Sequence, residues 1–258
     1  MFYKINAGLK EEILLNFIIS AIKIIFLLGF LIFIHESGHF LMAKFCKVKV
    51  NQFAIGFGPC IWSKQAKETK YALRLIPLGG FVSLEGEEKE SINEGSFTKA
   101  NILKRIAIIS AGAIVNVLFG LTVYFILVMV IYGNIAIAGE ATLKFVEALI
   151  QSVKMIFTGN IGINDLTGPV GISELVYQTT GIQEYFYMIS MVSVSLGITN
   201  LLPIPALDGG KILLLIIEAI RKKPLKEDTE IQIQLIGFSI IIALSILVTY
   251  NDIIRVMK

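Results

Sequence analysis

His35 and His39, the two histidines of the chain, stand four positions apart in His35-Glu36-Ser37-Gly38-His39, at the end of a long apolar run. Four positions along an α-helix make about one turn, so both imidazoles share a face and can reach one metal ion. Glu36 then stands beside that ion. There it can take a proton from water that the ion acidifies and hand it to a departing amine. Gly38 lets another backbone come close. The chemistry this spacing predicts is zinc hydrolysis at the end of a membrane helix. Zinc in hydrolases usually takes three protein ligands and keeps a fourth position open, so a carboxylate or thiolate must complete the set.

The best source is Asn200-Leu201-Leu202-Pro203-Ile204-Pro205-Ala206-Leu207-Asp208-Gly209-Gly210. Two prolines break a helix there, leaving Asn200 and Asp208 on or next to irregular backbone, which at membrane depth is tolerated only where it is buried or lines a cavity. A carboxylate in such a place needs a cation. Asp208 is therefore a candidate third ligand, with capping of a helix from Gly210 to Arg221 as the competing reading. Asn116, an amide inside an apolar helix, either pairs across a bundle or lines a wet cavity, where it would touch substrate. Cys46 and Cys60 are read as packed or incidental thiols rather than as ligands or a disulfide.

The elements that must position these residues belong to a membrane protein. Apolar residues make up 55% of the chain and charged ones 17%, a balance foreign to soluble domains. The fold class predicted is an α-helical polytopic membrane protein in one domain, 1–258. Four transmembrane helices are expected at about 14–46, 106–132, 185–202 and 235–250. Residues 1–13 read as a polar lead-in, and the first span, with no cleavage site after it, is not a signal peptide. Lys23 inside it either snorkels, faces a polar cavity or is simply tolerated. Between Lys47 and Leu84, two β-prone runs flank a polar turn and predict a membrane-associated β-hairpin, whose edge could take up an extended peptide. An acidic linker, Glu85 to Ser96, is expected to be flexible. An amphipathic segment, Ala141 to Phe157, suits a membrane surface.

Charge sets the orientation. Eleven Lys or Arg lie from Lys44, at the end of the first span, to Arg105 before the second, and five between the third and fourth, but only Lys144 and Lys154 between the second and third. The two basic loops are thus expected in the cytoplasm, with both termini outside and the histidines and Asp208 on the cytoplasmic side. The loops lack the stacking aromatics of a nucleic-acid site, so no nucleic-acid partner is expected.

HESGH, IPLGGFVSLEGEE, AGAIVN, LTGPVGI and NLLPIPALDGG resemble, in order and spacing, the site-2 protease family of intramembrane zinc metalloproteases, most closely its bacterial regulated-intramembrane-proteolysis members. The resemblance covers nearly the whole chain. It implies one zinc ion per chain held by His35, His39 and Asp208, with Glu36 as catalytic base, and Asn200 as a substrate-binding residue. It implies that the hairpin offers its edge to substrate. Expected partners are the lipid bilayer and transmembrane segments of single-pass proteins, such as anti-sigma factors, signal-peptide remnants or pheromone precursors, with an upstream site-1-type protease. The place implied is the bacterial plasma membrane. Two features depart from the family: Ser37 replaces the commoner leucine, and the PDZ region that many relatives carry between the second and third spans is missing. Two other readings compete. A metal transporter would need a second ligand cluster along a path, and a non-catalytic zinc scaffold would have no use for Glu36.

Overall fold

In a computed structural model, residues 2–87, 91–159, 162 and 166–257 are described, so three residues of the acidic linker (88–90) lie outside the described set. Helix α1 runs over Phe2–Phe45, strands β1 and β2 over Val50–Ala66 and Thr69–Leu84, and helix α2 over Ile102–Tyr132. Helices α3 (Ile135–Thr158), α4 (Pro169–Gln178), α5 (Ile182–Leu201), α6 (Asp208–Arg221) and α7 (Glu227–Met257) complete the order.

Helix α1 carries the apolar run into the histidine motif without a break, since no proline interrupts its 44 residues. The polar lead-in is helical too. Nothing between Phe2 and Leu14 stops the helix, and extending a formed helix fixes only one residue per added bond. It ends where Lys47 turns left-handed (φ 62°) and Val48 N–H reaches back to the Ala43 carbonyl at 2.8 Å.

Among the described residues, three helical stretches are long and apolar enough to cross a membrane: Ile18–Phe45, Ile102–Tyr132 and Asp228–Arg255. Helix α5 forms where the third span was expected, but Glu184 and its serine, threonine and asparagine residues dilute its apolar character. The protein is membrane-bound.

The hairpin forms as expected, β1 antiparallel to β2, with Lys67 at φ 51° in the turn. Residues 52–55 of β1 find partners in both 70–73 and 80–83 of β2, so the two strands bend back on themselves. Near its root Val50, Phe53 and Ala54 are buried, and the Phe53 ring packs edge-on against Phe33 and Phe40 of α1, centroids 6.2 and 5.2 Å apart. Farther out, Phe57, Ile61, Trp62, Leu75 and Ile76 are exposed, a surface suited to lipid.

The chain divides into two compact units, 28–120 with 191–240, and 1–27 with 121–190 and 241–258. The first has a core built on Ala43, Val48, Val50, Leu84, Phe97, Ile108, Ile109 and Leu215, which ties α1, the hairpin root, α2 and α6 together. In it, Arg105 of α2 pairs with Glu218 of α6 at 3.2 Å and lies over the Phe97 ring. Lys211 of α6 pairs with Glu87 at 2.9 Å. The second unit explains two charges that an apolar helix should avoid. Asp252, fully buried on α7, accepts the Gly168 and Gly171 N–H groups at 3.0 and 2.8 Å at the start of α4. Lys23 donates to the Thr179 carbonyl at 3.2 Å, just past the end of α4. A negative charge thus meets the positive end of the helix dipole and a positive charge the negative end. A short helix satisfies both.

Candidate metal centre

The two imidazoles project from one face of α1, as the four-residue spacing requires. Their Nε2 atoms lie 3.1 Å apart. Asp208 arrives from the far side of the proline-broken stretch, its Oδ2 3.1 Å from His35 Nε2 and 3.4 Å from His39 Nε2. Among the described residues these three form a cluster able to hold a metal, with ligand atoms all within 4.8 Å of one another. Cys46 and Cys60 are free thiols outside it.

Local chain chemistry delivers Asp208 to this place. Leu207, not Asp208, occupies the cap position of α6, and no side chain caps the helix, so the capping alternative does not describe this aspartate. Ala206 takes a left-handed φ of 75° to turn the chain, and its N–H is held by the Gln234 side chain. Gly209 and Gly210 are necessary because a Cβ on either would meet backbone carbonyl oxygens of Leu202 and Ile204 at 2.2 and 2.3 Å.

Helix α2 supplies the wall behind the imidazoles. A Cβ on Gly38 would lie 2.6 Å from the Ala111 carbonyl oxygen, and one on Gly112 2.3 Å from His39 Nε2, so small residues let the two helices touch. Helix α5 packs by the same device, Gly197 against the Ala113 carbonyl. His39 Nδ1 lies 2.9 Å from the Ile108 carbonyl oxygen. A carbonyl only accepts, so Nδ1 carries the proton and the Nε2 lone pair faces the cluster. Asn116 is fully buried, with Nδ2 3.4 Å from His35 Nδ1 and Oδ1 without a partner.

Glu36 is half-buried and lies against the hairpin, where a Cβ on Gly80 would come within 3.0 Å of its Cγ. Asn200 sits in the last turn of α5, half-buried. The roles of Gly112 and the Ile108 carbonyl escaped sequence reasoning. The run of small residues in Ala111-Gly112-Ala113 was the available signal for the first, and a backbone acceptor leaves none for the second.

The donor set fits zinc. Two imidazole nitrogens and one carboxylate oxygen are what a hydrolytic zinc site uses, and Asp208 Oδ2 faces both Nε2 atoms at 3.1 and 3.4 Å, close enough for one cation to join all three. Two imidazoles on a helix long and apolar enough to cross a membrane, met by a carboxylate at the start of α6 and flanked by Glu36, fit an intramembrane zinc hydrolase. The profile of peptidase family M50 matches residues 23–244, and the chain belongs to that family; it is a zinc metalloprotease of the site-2 type. The Regulator of sigma-W protease RasP of Bacillus subtilis is 24% identical over 421 aligned positions covering 93% of this chain and 99% of its own. Zinc metalloprotease RasP of Shouchella clausii is 38% identical over 128 positions, 49% of this chain and 31% of its own. A Clostridium acetobutylicum protein assigned to the zinc metalloproteases is 27% identical over 321 positions, 88% of this chain and 95% of its own. Those 321 positions exceed the 258 residues of this chain, so that relative carries a segment without counterpart here.

Proposed function

We propose that this M50 peptidase cleaves transmembrane segments of single-pass membrane proteins at a site held by His35, His39 and Asp208, with one zinc ion per chain and Glu36 as the base. The observation that carries the ligand set is the convergence of two imidazole nitrogens and a buried carboxylate oxygen, with ligand atoms within 4.8 Å of one another. Zinc bound there supplies Lewis-acid chemistry, polarising a peptide carbonyl and acidifying water.

The protein's own residues do the rest. Glu36, next to His35 in sequence and lodged against β2, takes a proton from the attacking water and delivers it to the leaving amine. Asn200 binds the substrate backbone. The bent hairpin lends an edge on which an unwound segment lies extended, since a helical substrate hides its carbonyls in its own hydrogen bonds. Weak helix formers at the cut site therefore favour cleavage.

Four spans, α1, α2, α5 and α7, then cross the bacterial plasma membrane with both termini outside and the site toward the cytoplasm, an orientation supported by the sixteen basic residues of the two loops. The segment that the longer relatives carry is read as their PDZ region. The name of the Bacillus subtilis relative ties it to sigma-W regulation, which favours a membrane-bound regulator of a sigma factor as the substrate class here, with signal-peptide remnants as the second; an upstream site-1-type protease would make the first cut. Zinc content of purified wild type, Glu36→Gln and Asp208→Ala tests the assignment. Glu36→Gln should keep zinc and lose cleavage, and Asp208→Ala should lose both. Full zinc and activity in Asp208→Ala would remove it from the ligand set.

A further inference from the structure

Each imidazole of the cluster meets one group of α2 through its other ring nitrogen, and the two groups differ in kind. His39 faces a carbonyl, which settles its tautomer. His35 faces the Asn116 carboxamide, which can either donate or accept. With Nδ2 toward His35, as at 3.4 Å here, Nδ1 would have to supply the lone pair and Nε2 the proton. That tautomer has no lone pair at Nε2, the atom that faces Asp208 and the cluster. The same orientation leaves Asn116 Oδ1 buried and unpartnered, at a position with no exposure to solvent. A half-turn of the amide removes both problems at once: Oδ1 gains a donor, and the His35 Nε2 lone pair joins that of His39 opposite Asp208.

We propose that Asn116 is a positioning residue for the metal centre, its carboxamide oxygen accepting the His35 Nδ1–H and fixing the tautomer in which Nε2 binds zinc. The inference rests on the ligand set above and replaces the substrate contact expected of Asn116, which total burial keeps from any substrate. The backbone is arranged for the task. Ser193 Oγ on α5 donates to the Asn116 carbonyl at 2.8 Å, steadying the turn of α2 that presents the amide. Ile108, Gly112 and Asn116 recur every four residues, so one stripe of α2 orients His39, clears space for its ring and orients His35. Outer partners of this kind set both the direction and the basicity of a ligating imidazole.

The test measures zinc affinity by chelator competition on purified protein in detergent, in a Glu36→Gln background so that turnover plays no part. Asn116→Leu removes the acceptor and should weaken zinc roughly 10–100-fold. Asn116→Asp keeps an oxygen but has no N–H, and should hold zinc at least as tightly as the parent. Ser193→Ala should match the parent, and cobalt loaded in place of zinc should show a changed visible spectrum only in Asn116→Leu. If Asn116→Asp loses zinc, the amide acts as a donor and the assignment is wrong. Undiminished affinity in Asn116→Leu would overturn it as well. Should Asn116→Leu fail to fold, the aspartate variant alone decides between acceptor and donor. A parent that binds no zinc would overturn the ligand set itself, and this inference with it.

Discussion

Gly112 occupies a point where any side chain would strike the His39 ring, with a Cβ 2.3 Å from Nε2. Gly112→Ala should therefore displace the imidazole and lower bound zinc well below one per chain, read by metal analysis of the purified protein. Gly139 of α3 is its control: a Cβ there meets nothing within 4 Å, so Gly139→Ala should keep zinc and stabilise its helix by up to about 1 kcal/mol. Cys46→Ser should leave zinc content and activity unchanged, because this free thiol lies outside the cluster. At this scale the sequence was most informative where chemistry depends on local spacing. His35, Glu36 and His39 lie on one helical turn, so their arrangement follows from helix geometry alone. Asp208 was readable as a candidate but not separable from a helix cap, because the same residue type serves both. What separates them is tertiary: Leu207 takes the cap and the Asp208 carboxylate meets the imidazoles. The partner of Asn116, 81 residues away, was beyond any local pattern.

Helices and strands in this chain form where apolar periodicity and breakers place them, yet their ends and attachments are decided by contacts. The hairpin was legible because two β-prone runs flank a polar turn, but its doubled pairing over 52–55 was not, since bends at glycines leave several registers open. Helix α1 begins earlier than its composition suggested, at Phe2, because polar residues do not stop a helix that is already formed. LTGPVGI is explained by Asp252. Its first and second glycines put N–H groups on the carboxylate, and a Cβ on Gly171 would lie 3.0 Å from Oδ1. Removing this acceptor strands two buried donors, so Asp252→Ala should cost on the order of 2–5 kcal/mol. The check is thermal or denaturant unfolding in detergent, with Asp252→Asn, which keeps one oxygen, recovering part of the loss. Lys23, left open by the sequence, finds its partner at the other end of the same helix. On α2, Arg105→Leu would leave the largely buried Glu218 carboxylate of α6 without its cation, and should loosen the helix that begins at Asp208.

The whole molecule combines helices long and apolar enough to cross a bilayer with the fold of a zinc metalloprotease family. Zinc that binds the folded state alone should raise its unfolding temperature, and chelation should lower it. In Asp208→Ala the chelator should have almost no effect. Membrane class and peptidase family were legible from composition and from the ordered motifs, since both are properties of the whole chain. The span count was less so, because α5 is too polar for hydropathy alone to decide. The most direct test of the central claim is to map cleavage positions in a single-span substrate reconstituted with the purified protein, with Glu36→Gln in parallel. The account predicts a chelator-sensitive cut inside or bordering the membrane segment that is absent from the variant. Cuts confined to soluble flanks, or cleavage that survives Glu36→Gln, would contradict it.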